Sequence, residues 1–284
     1  MRKLGIISLS IILSSLMFCS SALGSTEPIR LFVNGTQVLF NQLPIVNNGN
    51  TLVQLRPVFE GLGLKVSWDD QSQSITGETD KVKIVMQIDN NVATVNDKPV
   101  ELAIAPRIVN GSTFVPLRFV GESSEGDVKW DEKTNHVDII TDKSYYVFLA
   151  TVKNDTAQVK YWIGQGGGPS YRTSNDGVSS LSVAVHNQNV EVVKMLLDSG
   201  ADVNETAGRD IYHTDITQLE MAIYYENPDI VQAFLDHGAD ITRKDKEGKN
   251  ALDQAKDRYA KESVPEAKEK LKKIIDAITT KQSS

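Results

Sequence analysis

The spacing of apolar residues changes several times along the chain, and each change predicts a different kind of element. Leu4 to Phe18 is an apolar run of about 15 residues diluted by Ser8, Ser10, Ser14 and Ser15; a helix needs roughly 20 to span a bilayer. Ile29 to Val33 and Thr36 to Val38 are short extended runs separated by Asn34-Gly35, which predicts a two-residue hairpin. Leu55, Val58, Phe59 and Leu62 then follow helical spacing, and Gly63 ends the turn. Lys65 to Trp68 alternates as a strand, Asp69 to Gln73 turns, Ser74 to Thr76 returns, and Val82 to Ile88 adds a central strand. From about residue 145 onward the pattern is helical throughout. It closes on Leu271, Ile274, Ile275 and Ile278, which share one face of a final helix from Pro265 to Thr280 whose remaining faces carry lysines. This predicts an α+β N-terminal domain of antiparallel strands and short helices, followed by an all-α region.

The first region repeats itself. With Val33 laid on Val95, positions 33 to 69 fall on 95 to 131 without a gap. The densest stretch sets Thr51, Val53, Leu55-Arg56, Val58 and Glu60 against Thr113, Val115, Leu117-Arg118, Val120 and Glu122. Val66, Trp68 and Asp69 meet Val128, Trp130 and Asp131. A match this dense predicts a duplicated unit. Each tryptophan is expected to close the core beside its unit's helix, and each arginine to tie the start of that helix to a local acid or carbonyl.

The second region has its own period. Leu181-x-x-Ala184 and Val192-Val193-x-x-Leu196-Leu197 precede Gly200-Ala201-Asp202-Val203-Asn204. The frame returns at Leu219 to Ala222, Ile230 to Leu235 and Gly238 to Ile241, and again at Asp245 to Ala255. The step from Leu181 to Leu219 is longer than the step from Leu219 to Leu252, which places about five extra residues in the loop around Gly208 to Asp215. Upstream, Ala150, Trp162-Ile163 and Gly166 align with Ala184, Leu196-Leu197 and Gly200 at one constant spacing, a degenerate first copy over 145–175. Gly166-Gly167-Gly168-Pro169 is no phosphate cradle, because no Lys-Ser/Thr follows and no strand leads in.

These motifs carry two resemblances. Residues 28–142, through Asn48 to Arg56 with Val66 to Asp69, and Val115-Pro116-Leu117-Arg118 with Val128 to Asp131, resemble the copper amine oxidase N-terminal-like (stalk) domain. That resemblance implies fold and nothing catalytic; the copper of the family name belongs to another domain of the oxidase. His136 is the one imidazole here, and copper wants several converging nitrogen or sulfur ligands. Residues 145–284 resemble ankyrin repeats, three to four copies ending in a capping helix, which implies an all-α solenoid that binds proteins through loop tips and its concave helix face. Ser179-Ser180-Leu181-Ser182 departs from the Thr-Pro-Leu-His pattern and removes a histidine that ties adjacent loops, so some rigidity is expected to be lost.

Composition narrows the partners and the address. Thirty Lys+Arg against 37 Asp+Glu give a net charge of −7, so the basic footprint of a nucleic-acid binder is missing. Met1-Arg2-Lys3, the apolar run and Ala22-Leu23-Gly24 read as a secretory signal peptide, 1–24, cut between Gly24 and Ser25; a retained anchor is the alternative. A lipoprotein reading of Cys19 meets the bulky Phe18 where a small residue belongs. Cleavage would remove this single cysteine and leave 28 basic against 37 acidic side chains, a charge of −9. The mature chain is expected outside the cytoplasmic membrane, with no membrane span after processing.

No nucleophile elbow, no His-Glu-x-x-His and no cysteine nucleophile of the mature chain is present, and His136, His186, His213 and His237 are scattered. The expectation is a non-enzyme without cofactor or metal: an exported scaffold of the bacterial cell envelope, its stalk domain presenting an ankyrin surface to a protein partner. The partner-binding candidates are Asp176, Arg209, Asp210, Tyr212, His213, Asp245 and Lys246, all at loop tips. One alternative is a stalk domain that grips wall polysaccharide or peptidoglycan, with the ankyrin part as spacer; exposure of Trp68 or Trp130 on a groove would favour it. Another is an inhibitor or immunity-like partner of a co-exported enzyme.

Overall fold

The structure, a computed structural model, describes residues 27–173, 177–206 and 216–283. The expected signal segment 1–24 and its cleavage pair Gly24 and Ser25 lie outside them.

The strand-rich region opens with β1 (Arg30–Val33), β2 (Thr36–Val38), β3 (Ile45–Asn47), β4 (Asn50–Gln54), α1 (Leu55–Gly61), β5 (Lys65–Asp69) and β6 (Ser74–Glu78). After β7 (Lys83–Gln87) come β8 (Val92–Val95), β9 (Lys98–Glu101), β10 (Arg107–Val109), β11 (Ser112–Pro116), α2 (Leu117–Ser123), β12 (Asp127–Asp131) and β13 (His136–Ile140). Each element from β1 to β6 thus has a counterpart at one constant offset, β1 with β8 through to β6 with β13. The hairpin corners explain the local folding. Asn34-Gly35 has φ of 46° and 76°, and Asn96-Asp97 has 50° and 63°. Asn48-Gly49 and Asn110-Gly111 also have both φ positive. A type I′ turn requires two such residues, and Asn, Asp and Gly tolerate them best. The two middle hairpins, β3–β4 and β10–β11, are short, and the Asn-Gly pairs at 48 and 110 are their sequence signal.

Three sheets result, in the orders β12-β13-β1-β2, β10-β11-β4-β3 and β5-β6-β7-β8-β9. In the second, β4 meets β11 antiparallel with Val53 opposite Val115. Those two valines occupy matching positions of β4 and β11, so a local two-fold relates the halves at that point. The outer sheets exchange hairpins: each joins the last hairpin of one half to the first of the other. Where β7 intervenes, every pairing is antiparallel. Where β13 meets β1 directly, Leu31 lies against Val137 in parallel, which corrects the expectation of antiparallel strands throughout. β6 and β8, on either side of β7, also run the same way, so β13 and β1 keep that shared direction with no strand between them.

Leu31, Val53, Val58, Phe59, Ile75, Ile84, Val115, Val120, Val137 and Ile139 form one buried core between these layers. The tryptophans are not in it. Trp68 is 40% and Trp130 38% exposed, against the expectation that they close the core. Each lies on an edge strand two residues beyond a valine, Val66 or Val128, that packs on the core. The seven-residue helix beside each strand spans about 10 Å, against roughly 17 Å for the five-residue strand, so the strand's outer end stays uncovered. Arg56 and Arg118 make exposed ion pairs along their own helices with Glu60 at 3.8 Å and Glu122 at 3.4 Å.

The chain leaves β13 directly into helices: α3 (Lys143–Val152), α4 (Thr156–Gly164), α5 (Ser180–His186), α6 (Val190–Asp198), α7 (Gln218–Tyr224), α8 (Pro228–Asp236), α9 (Ala251–Lys261) and α10 (Pro265–Gln282). α5, α7 and α9 each begin at a capping box, Ser179 with Ser182, Thr217 with Glu220 and Asn250 with Asp253. These reciprocal bonds satisfy amide groups the helix leaves open and fix where each pair starts. Val147, Leu181, Ala184, Val193, Leu196, Leu219, Ala222, Phe234, Leu252 and Leu271 share a single buried cluster. Among the described residues no helix is long and apolar enough to cross a membrane.

Gly77 on β6 sits beneath the Phe59 ring, where an added Cβ would fall 2.0 Å from Cε1. Phe59 is fully buried and has no room to retreat. Gly77→Ala is expected to lower the unfolding free energy by about 1–3 kcal/mol, the usual cost of overpacking. Urea denaturation of the full chain measures it; an unchanged midpoint would mean that this core is slack.

Candidate functional site

The end of the helical stack carries a cleft of about 600 Å³ between α7, α9 and the loop 243–247. Its apolar side comes from Ile216, Met221 and Tyr224, and its other side from Arg243 to Glu247 of the loop. The frame that buries Leu219 and Ala222 in the stack turns Tyr224 outward, 48% exposed.

Polar ties hold this geometry. The Glu220 carboxylate accepts from the Thr217 amide at 2.6 Å and its hydroxyl at 3.0 Å, closing the α7 cap. Its other oxygen accepts from Gln254 Nε2 of α9 at 2.9 Å. Gln254 Nε2 also lies 3.1 Å from Asp245 Oδ2, while Asp245 Oδ1 accepts the amides of Glu247 at 2.8 Å and Lys249 at 2.9 Å. One chain of bonds therefore runs from the α7 cap through α9 into the loop. Lys249 sits between Glu247 at 2.8 Å and Asp257 at 2.6 Å, and these carboxylates, Asp257 first, hold its ammonium well above the usual lysine range.

A second tie lies one repeat earlier. Glu205 is buried, accepts a bond from the Ser179 hydroxyl and pairs with Arg172 at 2.7 Å. Arg172 also donates to the Gly177 carbonyl at 2.9 Å. Burial pushes the Glu205 carboxyl up, against the opposing effects of Ser179 and Arg172. The adjacent loops are thus joined, where the histidine is missing, by a buried carboxylate with a hydroxyl and a guanidinium.

Next to the cleft, Arg258 packs over the Tyr224 ring at 4.9 Å and pairs with Glu226 at 2.9 Å. Tyr225 bonds His186 Nδ1 at 2.8 Å. This row of aromatic and cationic groups runs along the ends of α5, α7 and α9. It suits recognition, because rigid aromatics supply contact area at small entropic cost. Among the described residues no nucleophile, base and stabiliser converge on the cleft, and no three side chains of the metal-ligating types cluster.

Of the residues picked from sequence, Asp245 and Lys246 line this cleft, although the Asp245 carboxylate is committed to its own loop. Asp176, Arg209, Asp210, Tyr212 and His213 lie outside the described residues. Sequence reasoning missed Met221, Tyr224, Arg243 and Lys244. A signal existed in Tyr224-Tyr225, a pair of large aromatics beyond the Leu219-x-x-Ala222 packing step.

His237 ends α8, bonded to the Ala233 carbonyl at 2.7 Å and to Asp198 of α6 at 2.9 Å. The Ala233 bond, then Asp198, raise its pKa above the usual 6.5. A raised folded pKa gives stability that is complete below pH 6.5 and is lost as pH rises through the folded value. His237→Gln is therefore expected to flatten the fall in melting temperature on the alkaline side of pH 6.5, read by calorimetry at several pH values. A parallel downward shift at every pH would remove the histidine's charge from the account.

Against known proteins, residues 32–139 match the family model described as copper amine oxidase N-terminal domain. Residues 147–245 match that described as ankyrin repeats (3 copies). The chain is 28% identical over 107 residues to a "Protease inhibitor" of Brevibacillus choshinensis, a match covering 37% of this chain and 33% of that protein. The match thus spans about a third of that relative's length.

Proposed function

We propose that the chain is an exported, non-catalytic binding protein of the bacterial cell envelope, in which a duplicated stalk unit presents an ankyrin solenoid to a protein partner. The observation that carries this reading is the cleft beside Tyr224: apolar on one side, charged on the other, and fixed by bonds among Glu220, Gln254 and Asp245. A fixed loop loses little freedom on binding. The ankyrin match supports a protein as the partner, and the constant offset between the element bounds of β1–β6 and β8–β13 supports the duplication. The 28% relative carries the name protease inhibitor, which favours a hydrolase among protein partners and makes protease inhibition by the full chain the first activity to assay.

The test is a photo-crosslinking residue placed at Tyr224 in the full chain and, as control, at Tyr161, which is 52% exposed on α4. One discrete protein captured from producing cells at Tyr224 and not at Tyr161 is the expected outcome. Equal capture at both sites, or capture at neither, removes the cleft as the recognition surface.

The exposed tryptophans favour a second reading. Trp130 shares a groove with Arg118 and Thr51, and an exposed indole beside hydrogen-bonding groups is a surface on which a sugar ring of wall polymer can stack. Trp68→Ala with Trp130→Ala is expected to abolish co-sedimentation of the full chain with purified wall if the stalk domain is the gripping half. Unchanged sedimentation would leave the ankyrin half as the only binding element.

A further inference from the structure

We propose that the groove beside Trp130 takes a glycan strand of uncharged or amino-bearing sugars and turns away phosphate-rich anionic polymer. The inference rests on the wall-binding reading of the stalk domain and names the class of polymer that this reading requires.

Shape comes first. A cavity of about 690 Å³ lies on one side of the indole, with Ile29, Leu43, Pro44 and Val46 in its wall. Another of about 270 Å³ lies on the other side, with Val100 and Ala103. The two share Gly49, Thr51, Arg118 and Trp130, so they are parts of one groove that passes the ring. A linear polymer can therefore cross the indole with units on either side of it. The walls are held in place. Asn135 Nδ2 donates to the Glu27 carbonyl at 2.8 Å. Asp131 accepts the Lys133 amide and the Thr134 hydroxyl, each at 2.9 Å, which fixes the turn that carries Glu132. A groove fixed in this way loses little freedom on binding.

Charge decides the class of polymer. Among the described residues, Glu27, Glu101, Glu122 and Glu132 line the groove with one cation, Arg118, and no lysine. Arg118 pairs with Glu122 at 3.4 Å. The excess is negative whether or not that exposed pair holds, because every one of these carboxylates keeps its charge. Glu27, Glu101 and Glu132 are exposed, and their carboxylates have no hydrogen-bond or ion-pair partner among the described residues. A phosphodiester chain entering here is repelled, an ammonium group is attracted, and a neutral ring is affected by neither force. A sugar ring also matches the groove chemically. Its C–H face suits the indole, and the hydroxyls around its edge are donors for carboxylates that nothing else occupies.

The experiment uses the full chain and three soluble probes, read by titration calorimetry. They are the uncharged N-acetylglucosamine tetramer, the glucosamine tetramer in buffer acidic enough to protonate its amines, and inorganic polyphosphate. Both tetramers are expected to bind, and polyphosphate neither to bind nor to displace them. The advantage of the amino tetramer should shrink as salt rises and shortens the range of surface charges. Trp130→Ala changes an exposed side chain, and its melting temperature shows that it folds. It should weaken both tetramers at least about tenfold, whereas Tyr161→Ala on α4 should change neither. Glu101→Gln with Glu132→Gln keeps hydrogen-bonding groups on both sides of the indole and should abolish the preference for the amino tetramer. Polyphosphate binding as tight as that of the tetramers overturns the proposal. So does indifference of the tetramers to Trp130→Ala, or absence of tetramer binding at millimolar concentration. Co-sedimentation with purified wall is read separately. Sedimentation that disappears once phosphate polymer is stripped from the wall overturns the glycan assignment and keeps the wall-binding reading. Tetramer binding lost in Trp130→Ala, with no sedimentation of the unaltered chain, supports the groove chemistry and removes the wall as its target.

Discussion

One side chain sets how the two halves of this molecule meet. Asn34 stands at the corner between β1 and β2 with a positive φ of 46°. Its carboxamide oxygen accepts the amides of Thr141 at 2.9 Å and Asp142 at 3.1 Å, and its nitrogen donates to the Thr141 hydroxyl at 2.9 Å. Its own amide donates to Ile139 at 3.0 Å, and its carbonyl accepts from Tyr171 at 2.7 Å. Asp142 in turn caps α3 by accepting the Ser144 amide. A single asparagine therefore closes the first hairpin, ends the last strand and orients the first helix. Its counterpart at the β8–β9 corner, Asn96, does the equivalent for β7, accepting the Lys83 amide at 2.8 Å. Where that corner meets a strand the sheet continues, and where it meets a cap the helices begin.

Aromatic packing completes what the asparagine starts. Tyr145 lies so close to Gly35 that a Cβ there would come within 2.7 Å of its ring. Tyr171 packs on Tyr145 at 5.1 Å and on Phe148 at 5.0 Å. Tyr146 stacks on Trp162 at 4.2 Å, donates to Asp127 at 2.5 Å and lies under Lys129 at 4.4 Å. The Tyr146 bond is the main reason Asp127 stays ionised to lower pH than an ordinary aspartate. Tyrosine serves at such a seam because its ring fills space on one side while its hydroxyl answers a polar edge on the other.

Much of this was readable in advance where a local rule and a long-range pattern agreed. The Asn34-Gly35 corner, the Leu55 to Leu62 helix and the regular return of the Leu-x-x-Ala step each rest on a local signal that the core then uses. The parallel contact of β1 with β13 was not readable, because nothing in either strand records which neighbour it will find after so much intervening chain. The tryptophans were misplaced for a related reason. Alternation places Trp68 on the face of Val66, but only the length of the covering helix decides whether that face is roofed. At the cleft, loop-tip reasoning reached Asp245 and Lys246 and passed over Tyr224, since a tyrosine two residues after a packing alanine reads equally well as core. The ties that replaced the missing histidine join positions far apart in the chain, Ser179 with Glu205 and Glu220 with Gln254, and no short motif marks them.

The same ties bear on why the cleft can act as a site at all. A stack of short helices is stable by contact with its nearest neighbours only, so a loop at one end gains no support from the far end. Here the loop 243–247 is joined through Gln254 to the α7 cap, and Arg172 and Glu205 join the loops one repeat earlier. Polar groups that are individually costly to bury become rigid connectors when each finds a partner. The acids of the cleft are used in this way, so the shape of the opening is set by the same bonds that join its helices and loop.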